Sequence, residues 1–101
     1  MTQAQNNADM TKEDRRRLVL QFLADHGIAV PPSVIYRNMR LHQGITFGKK
    51  SIANYLDEFA EEGLVRRVNP EGLEDRDLRD VPEDKRAWYI ITKSGREYLQ
   101  D

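Results

Sequence analysis

The chain has 101 residues with 16 Lys or Arg against 17 Asp or Glu, a formal net charge of -1, which is room for one domain with one small core. Its hydrophobic share of 39% and charged share of 33% are those of an ordinary globular chain rather than a disordered one, and the absence of cysteine excludes disulfides and thiolate metal sites. No apolar run approaches the ~18 residues of a membrane span, and the polar start is not a signal peptide, so the expected location is cytoplasmic with no membrane partner.

Residues 1–10 hold two Gln and two Asn with little apolar content and read as a loose tail, leaving one domain over 11–101. Thr11 followed by Asp14 resembles a capping box. The helix it opens carries Leu18, Val19, Phe22 and Leu23 as a core stripe and ends at Gly27. Arg15, Arg16 and Arg17 stand at its start, against the helix dipole, as candidates for a phosphate backbone or a partner subunit, with a solvated basic turn at least as good a reading. Pro31 and Pro32 suit a first helical turn, so a second helix runs from 32 to 41 or 42. Val34, Ile35, Met39 and Leu41 are its expected buried side, and Arg37 and Arg40 lie on another face. Gly44 ends it. Residues 45–47 are short and β-prone, a candidate third minimal strand.

Gly48 is the expected N-cap of a third helix over 49–62, in which Ile52, Leu56 and Phe59 form the apolar stripe and Gly63 is the stop. The charge order of this helix is the feature that points beyond fold. A helix dipole favours acids first and bases last, yet Lys49 and Lys50 open this one while Asp57, Glu58, Glu61 and Glu62 close it. Each misplaced charge costs ~0.3 to 1 kcal/mol at low salt, and phosphate binding at the N-terminus would repay it. Ser51, Asn54 and Tyr55 follow the lysines, and Asn suits a bidentate contact with adenine in the major groove. The plain alternative is a solvated face whose acids fall late.

Residues 64–68 and 88–92 read as two strands of a hairpin. Between them, residues 69–85 form a loop far longer than the two to five residues usual in hairpins, rich in acids. Arg66, Arg67 and Arg86 at its base are candidate backbone contacts. Charge is uneven along the chain: residues 1–68 carry ten Lys or Arg against eight Asp or Glu, whereas 69–86 carry four against seven. A neutral total is therefore compatible with a local positive face.

The fold class expected is α+β, mainly α: a winged helix-turn-helix with a three-helix core, a β-hairpin wing and a short C-terminal helix. The stretch ending E-E-G-L-V at Val65, followed by W-Y-I-I-T-K-S-G-R-E-Y-L from Trp88, resembles winged-helix transcriptional regulators of archaea and their viruses, particularly phage phiH repressor-like proteins, over roughly residues 12–100. The resemblance implies that Thr92, Gly95 and Leu99 mark a short C-terminal helix packed on the core. It also implies sequence-specific double-stranded DNA binding, with Lys49, Lys50, Ser51, Asn54 and Tyr55 at recognition-helix positions. The long acidic wing departs from that pattern.

A transcriptional regulator, in the manner of a repressor, is thus the expectation, reading DNA with helix 49–62 and gaining specificity as a homodimer on two half-sites. Leu20, Tyr98 and Leu99 are candidate dimer surfaces. A protein-interaction module docking through the acidic wing loop is the alternative, and a single-strand binder using Trp88 or Tyr89 is a third reading. These two residues alternate across a strand, so one is expected in the core. No catalytic motif appears; His26 at a helix C-terminus is explained by the dipole, and neither an enzymatic activity nor a cofactor is expected.

Overall fold

In the computed structural model, residues 10–68 and 87–100 are described. Their order is α1 (Lys12–His26), α2 (Pro32–Gln43), α3 (Lys49–Glu61), β1 (Val65–Val68), β2 (Trp88–Ile91) and α4 (Lys93–Gln100). The architecture is mainly helical, with four helices and one two-stranded antiparallel hairpin among the described residues. The acidic segment 69–85, and Arg86 with it, lie outside the described residues.

Local chemistry sets most of the element ends. Thr11 Oγ1 accepts from the Asp14 N–H at 3.1 Å while Asp14 accepts from the Thr11 N–H at 3.2 Å, a reciprocal box that satisfies two otherwise orphaned donors. Gly27 stops α1 at φ 62°, donating to the Leu23 carbonyl at 2.9 Å, and Gly44 stops α2 in the same left-handed region, which glycine enters without a Cβ penalty. Pro31 caps α2 and Pro32 opens it, so neither ring blocks an intrahelical bond. At α4, the Thr92 hydroxyl accepts from the Gly95 N–H at 3.0 Å and donates to the Gly63 carbonyl at 2.8 Å. One side chain thereby starts α4 and ties it to the turn after α3.

The core is built by Val19, Leu20, Leu23, Ile35, Met39, Ile52, Leu56 and Phe59, all fully buried, closed on one side by the hairpin residues Val65, Tyr89 and Ile91. Strand β1 pairs with β2 in the register Val65 with Ile91 and Val68 with Trp88. Tyr89 is buried and Trp88 half-buried, the alternation a strand imposes. Gly95 makes the closest approach: a Cβ there would lie 2.6 Å from Ile91 Cγ1 and against the Leu64 carbonyl oxygen, so α4 sits directly on the end of the hairpin only because this residue has no side chain.

Three expectations are corrected. Leu20 is no dimer surface: α1 packs against α3, α4 and β2 as well as α2, so its buried arc is wider than one stripe and takes in Leu20. On α2, Val34 and Leu41 are exposed, the latter at 73%, because a helix packed on one side buries only the narrow arc of Ile35 and Met39. The third minimal strand does not come from residues 45–47. Ile45 and Phe47 are buried as side chains, and the pairing with the hairpin is made by Val30, whose N–H and carbonyl both bond Tyr89, at 3.0 and 2.9 Å. Tyr98 and Leu99 are half-buried against the core.

Candidate nucleic-acid interface

Helix α3 turns Ile52, Tyr55, Leu56 and Phe59 inward. At 100° per residue the opposite face carries Lys50, Ala53, Asn54, Asp57 and Glu61. Lys49, Lys50 and Asn54 are exposed and Ser51 is half-buried. Tyr55 is a correction: at 6% exposure, with its ring tilted against Phe47 at 6.1 Å between centroids, it is a core residue and not part of the exposed row. The i+3 spacing from Ile52 and the i+4 spacing to Phe59 place it on the apolar stripe.

The reversed charge order of α3 divides into two halves with different causes. Three of the four acids, Asp57, Glu58 and Glu62, are structural. Glu58 bonds Lys12 Nζ at 3.0 Å and Arg16 Nη1 at 2.8 Å, and Glu62 bonds Arg16 Nη2 at 2.7 Å. Arg16 also lies 4.6 Å from the Phe59 ring centroid. Burial works against the Arg16 charge, but the hydrogen bond and charge of Glu62, with Glu13 and Glu58 behind it, hold its pKa above the ordinary arginine value. The basic start of α1 and the acidic end of α3 are therefore one cross-helix cluster. Arg17 is likewise engaged, over the Tyr98 ring and donating to the Leu99 carbonyl.

Asp57 faces the hairpin. Its Oδ1 accepts from the Tyr89 hydroxyl at 2.8 Å and from Arg67 Nη2 at 3.2 Å. Burial opposes the Arg67 charge, yet the neighbouring Tyr89 hydroxyl and Asp57 carboxylate outweigh it and raise its pKa. Burial first, and then the Asp57 carboxylate, push the Tyr89 phenol up to about 12. Arg67, expected as an outward backbone contact, is thus turned into the protein, while Arg66 next to it is exposed.

The lysines have no such explanation. Among the described residues neither Lys49 nor Lys50 takes part in an ion pair, and the same is true of Arg37 and Arg40. Lys49 shares one open concavity between α2 and α3 with Ser33, Tyr36, Arg37, Arg40 and Leu41. Arg40 lies 5.8 Å from the Tyr36 ring centroid and donates to its hydroxyl at 3.0 Å, which holds the guanidinium at the rim. Neither Arg40 nor Tyr36 is among the site residues expected from the sequence, although their i, i+4 spacing carries the signal. The structure thus gathers Arg37, Arg40 and Lys49 at one rim and places Lys50 and Asn54 on the adjoining outer face of α3.

His26 is accounted for locally: its Nδ1–H donates to the Phe22 carbonyl at 2.8 Å and its ring stacks on Phe22. No helix among the described residues is long and apolar enough to cross a membrane. Compared with protein-family models, with curated proteins and with solved structures, the chain matches none of them.

Proposed function

We propose that this chain is a winged helix-turn-helix regulator that binds double-stranded DNA, with α2 bracing the phosphate backbone and α3 in the major groove. The observation that carries the reading is the exposed N-terminal half of α3. Its lysines lack ion-pair partners among the described residues, whereas Asp57, Glu58 and Glu62 of the same helix and its cap are each matched by a cation from elsewhere in the fold. Cations opening a helix oppose the dipole, and a phosphate placed there would be favoured by both the lysines and the free backbone N–H groups. Arg37 and Arg40 on α2 extend the same positive rim. Phosphate contacts fix register, and Asn54, exposed one turn after Lys50, is the residue assigned to read a base. Repression by a homodimer on two half-sites belongs to the same proposal, since a lone domain of this size reads few bases.

The test is fluorescence anisotropy with a labelled random-sequence duplex, titrated across salt. Binding is expected to weaken steeply with salt. In Lys49→Glu/Lys50→Glu the slope of log affinity against log salt should fall by about two, one for each phosphate that a lysine no longer neutralises. Equal binding by wild type and double variant, or none at low salt, would sink the reading. A protein-interaction module is the second reading, favoured by the exposed Val34 and Leu41 on α2; it predicts that outcome together with capture of a protein partner.

A further inference from the structure

Asp57 is out of place on a helix face meant for phosphates, and the geometry around it supplies a reason. It stands on the outer face of α3, one turn beyond Ala53 and Asn54, yet its carboxylate is turned to the hairpin. There it collects the Tyr89 hydroxyl from β2 at 2.8 Å and two Arg67 nitrogens from β1, Nη2 at 3.2 Å and Nε at 3.4 Å. Arg67 Nη2 also reaches the Asp57 carbonyl oxygen at 3.5 Å. The side chains of Asp57 and Arg67 are only 22% and 15% exposed. Arg67 and Tyr89 are direct partners across the strand pair, so both strands are held to α3 at one level by one carboxylate. Tyr89 is bonded through its backbone to Val30 as well, which links the α1–α2 connection to the same point.

We infer that Asp57, Arg67 and Tyr89 form a positioning lock that sets the hairpin against α3, so that both elements meet one DNA duplex in register, and that Arg67 acts through Asp57 rather than as a direct phosphate contact. The inference rests on the DNA-binding reading above. Two short strands have little hold of their own, and charge-assisted bonds to a half-buried carboxylate are directional enough to define their angle. The lock also neutralises a carboxylate that α3 would otherwise carry close to its base-reading row.

The experiment turns on a sign. If Asp57 were only a charge on a DNA-facing helix, Asp57→Asn would tighten binding by removing repulsion. The lock predicts the reverse: affinity of the whole chain for a random-sequence duplex at low salt weakened by about three- to tenfold. Tyr89→Phe, which keeps the buried ring and removes only the hydroxyl, should weaken binding in the same direction. Asp57→Asn combined with Arg67→Ala should be no weaker than Arg67→Ala alone, because the two act as one unit. Trp88, the single tryptophan of the chain and the neighbour of Tyr89 on β2, provides a readout without DNA: its emission anisotropy should fall in Asp57→Asn and in Tyr89→Phe. Wild-type binding with Asp57→Asn equal or tighter overturns the lock alone, as does additivity of the Asp57 and Arg67 variants. Absence of wild-type binding overturns the DNA reading and the inference with it.

Discussion

If the acids at the end of α3 are there to hold α1, neutralising them must destabilise the protein, although helix electrostatics alone says the opposite. The perturbation is Glu58→Gln/Glu62→Gln. Removing two negative charges from the C-terminal turn should, through the dipole, stabilise by ~0.3 to 1 kcal/mol each at low salt. Against this stand three ion pairs: Glu58 with Lys12 and with Arg16, and Glu62 with Arg16. Lys12 is 62% exposed, so its pair contributes little. The Arg16 side chain is only 13% exposed, with Glu58 at 34% and Glu62 at 45%, and a guanidinium left half-buried without its acceptors loses more than a surface pair would. About 1 to 1.5 kcal/mol for each Arg16 pair, less the dipole gain, leaves a net destabilisation of about 1 kcal/mol. For a domain of this size that is a fall in Tm of about 4 to 8 °C. Urea unfolding at low salt, followed by circular dichroism with the m-value checked for constancy, measures it. A double variant as stable as wild type, or more stable, would refute the cross-helix account and restore the acids of α3 to an unexplained surface feature.

Two further outcomes follow from the packing. Gly95→Ala should cost at least ~1 to 3 kcal/mol, since the added Cβ meets the Leu64 carbonyl and Ile91 and α4 must lift from the hairpin; an unchanged urea midpoint would mean that α4 is not seated as described. Tyr89 should ionise near pH 12, in an ultraviolet titration compared with Tyr89→Phe. Because the folded value is raised above the ordinary 10.0, the stabilisation is fully present below pH 10 and is lost as pH climbs from about 10 to 12. A Tyr89→Phe variant with the same stability curve through that window would contradict a phenol raised by burial and by its bond to Asp57.

What could be read in the sequence alone is local, and what could not is not. Thr11 with Asp14, Gly27, Pro32 and Gly44 declare their helix ends because caps, φ preferences and missing N–H groups act within a few residues. The spacing of Ile52, Leu56 and Phe59 in α3 and the alternation at Trp88 and Tyr89 place those side chains correctly for the same reason, whereas Tyr55, on the same apolar period, is expected on the outer row and lies in the core. A period says which face is apolar, but how wide an arc is covered depends on how many elements pack there. Hence Leu20 is buried under several neighbours and Leu41 exposed with few. The sequence also showed that α3 has its charges in the wrong order without showing why. Glu58 and Arg16 are 42 positions apart, and Tyr89 and Asp57 are 32 apart. Only the tertiary structure decides that Glu58 and Glu62 belong to α1 and Asp57 to the hairpin while Lys49 and Lys50 remain outside those pairings, because an ion pair depends on distance in space, and the chain brings those groups together only once its core has closed.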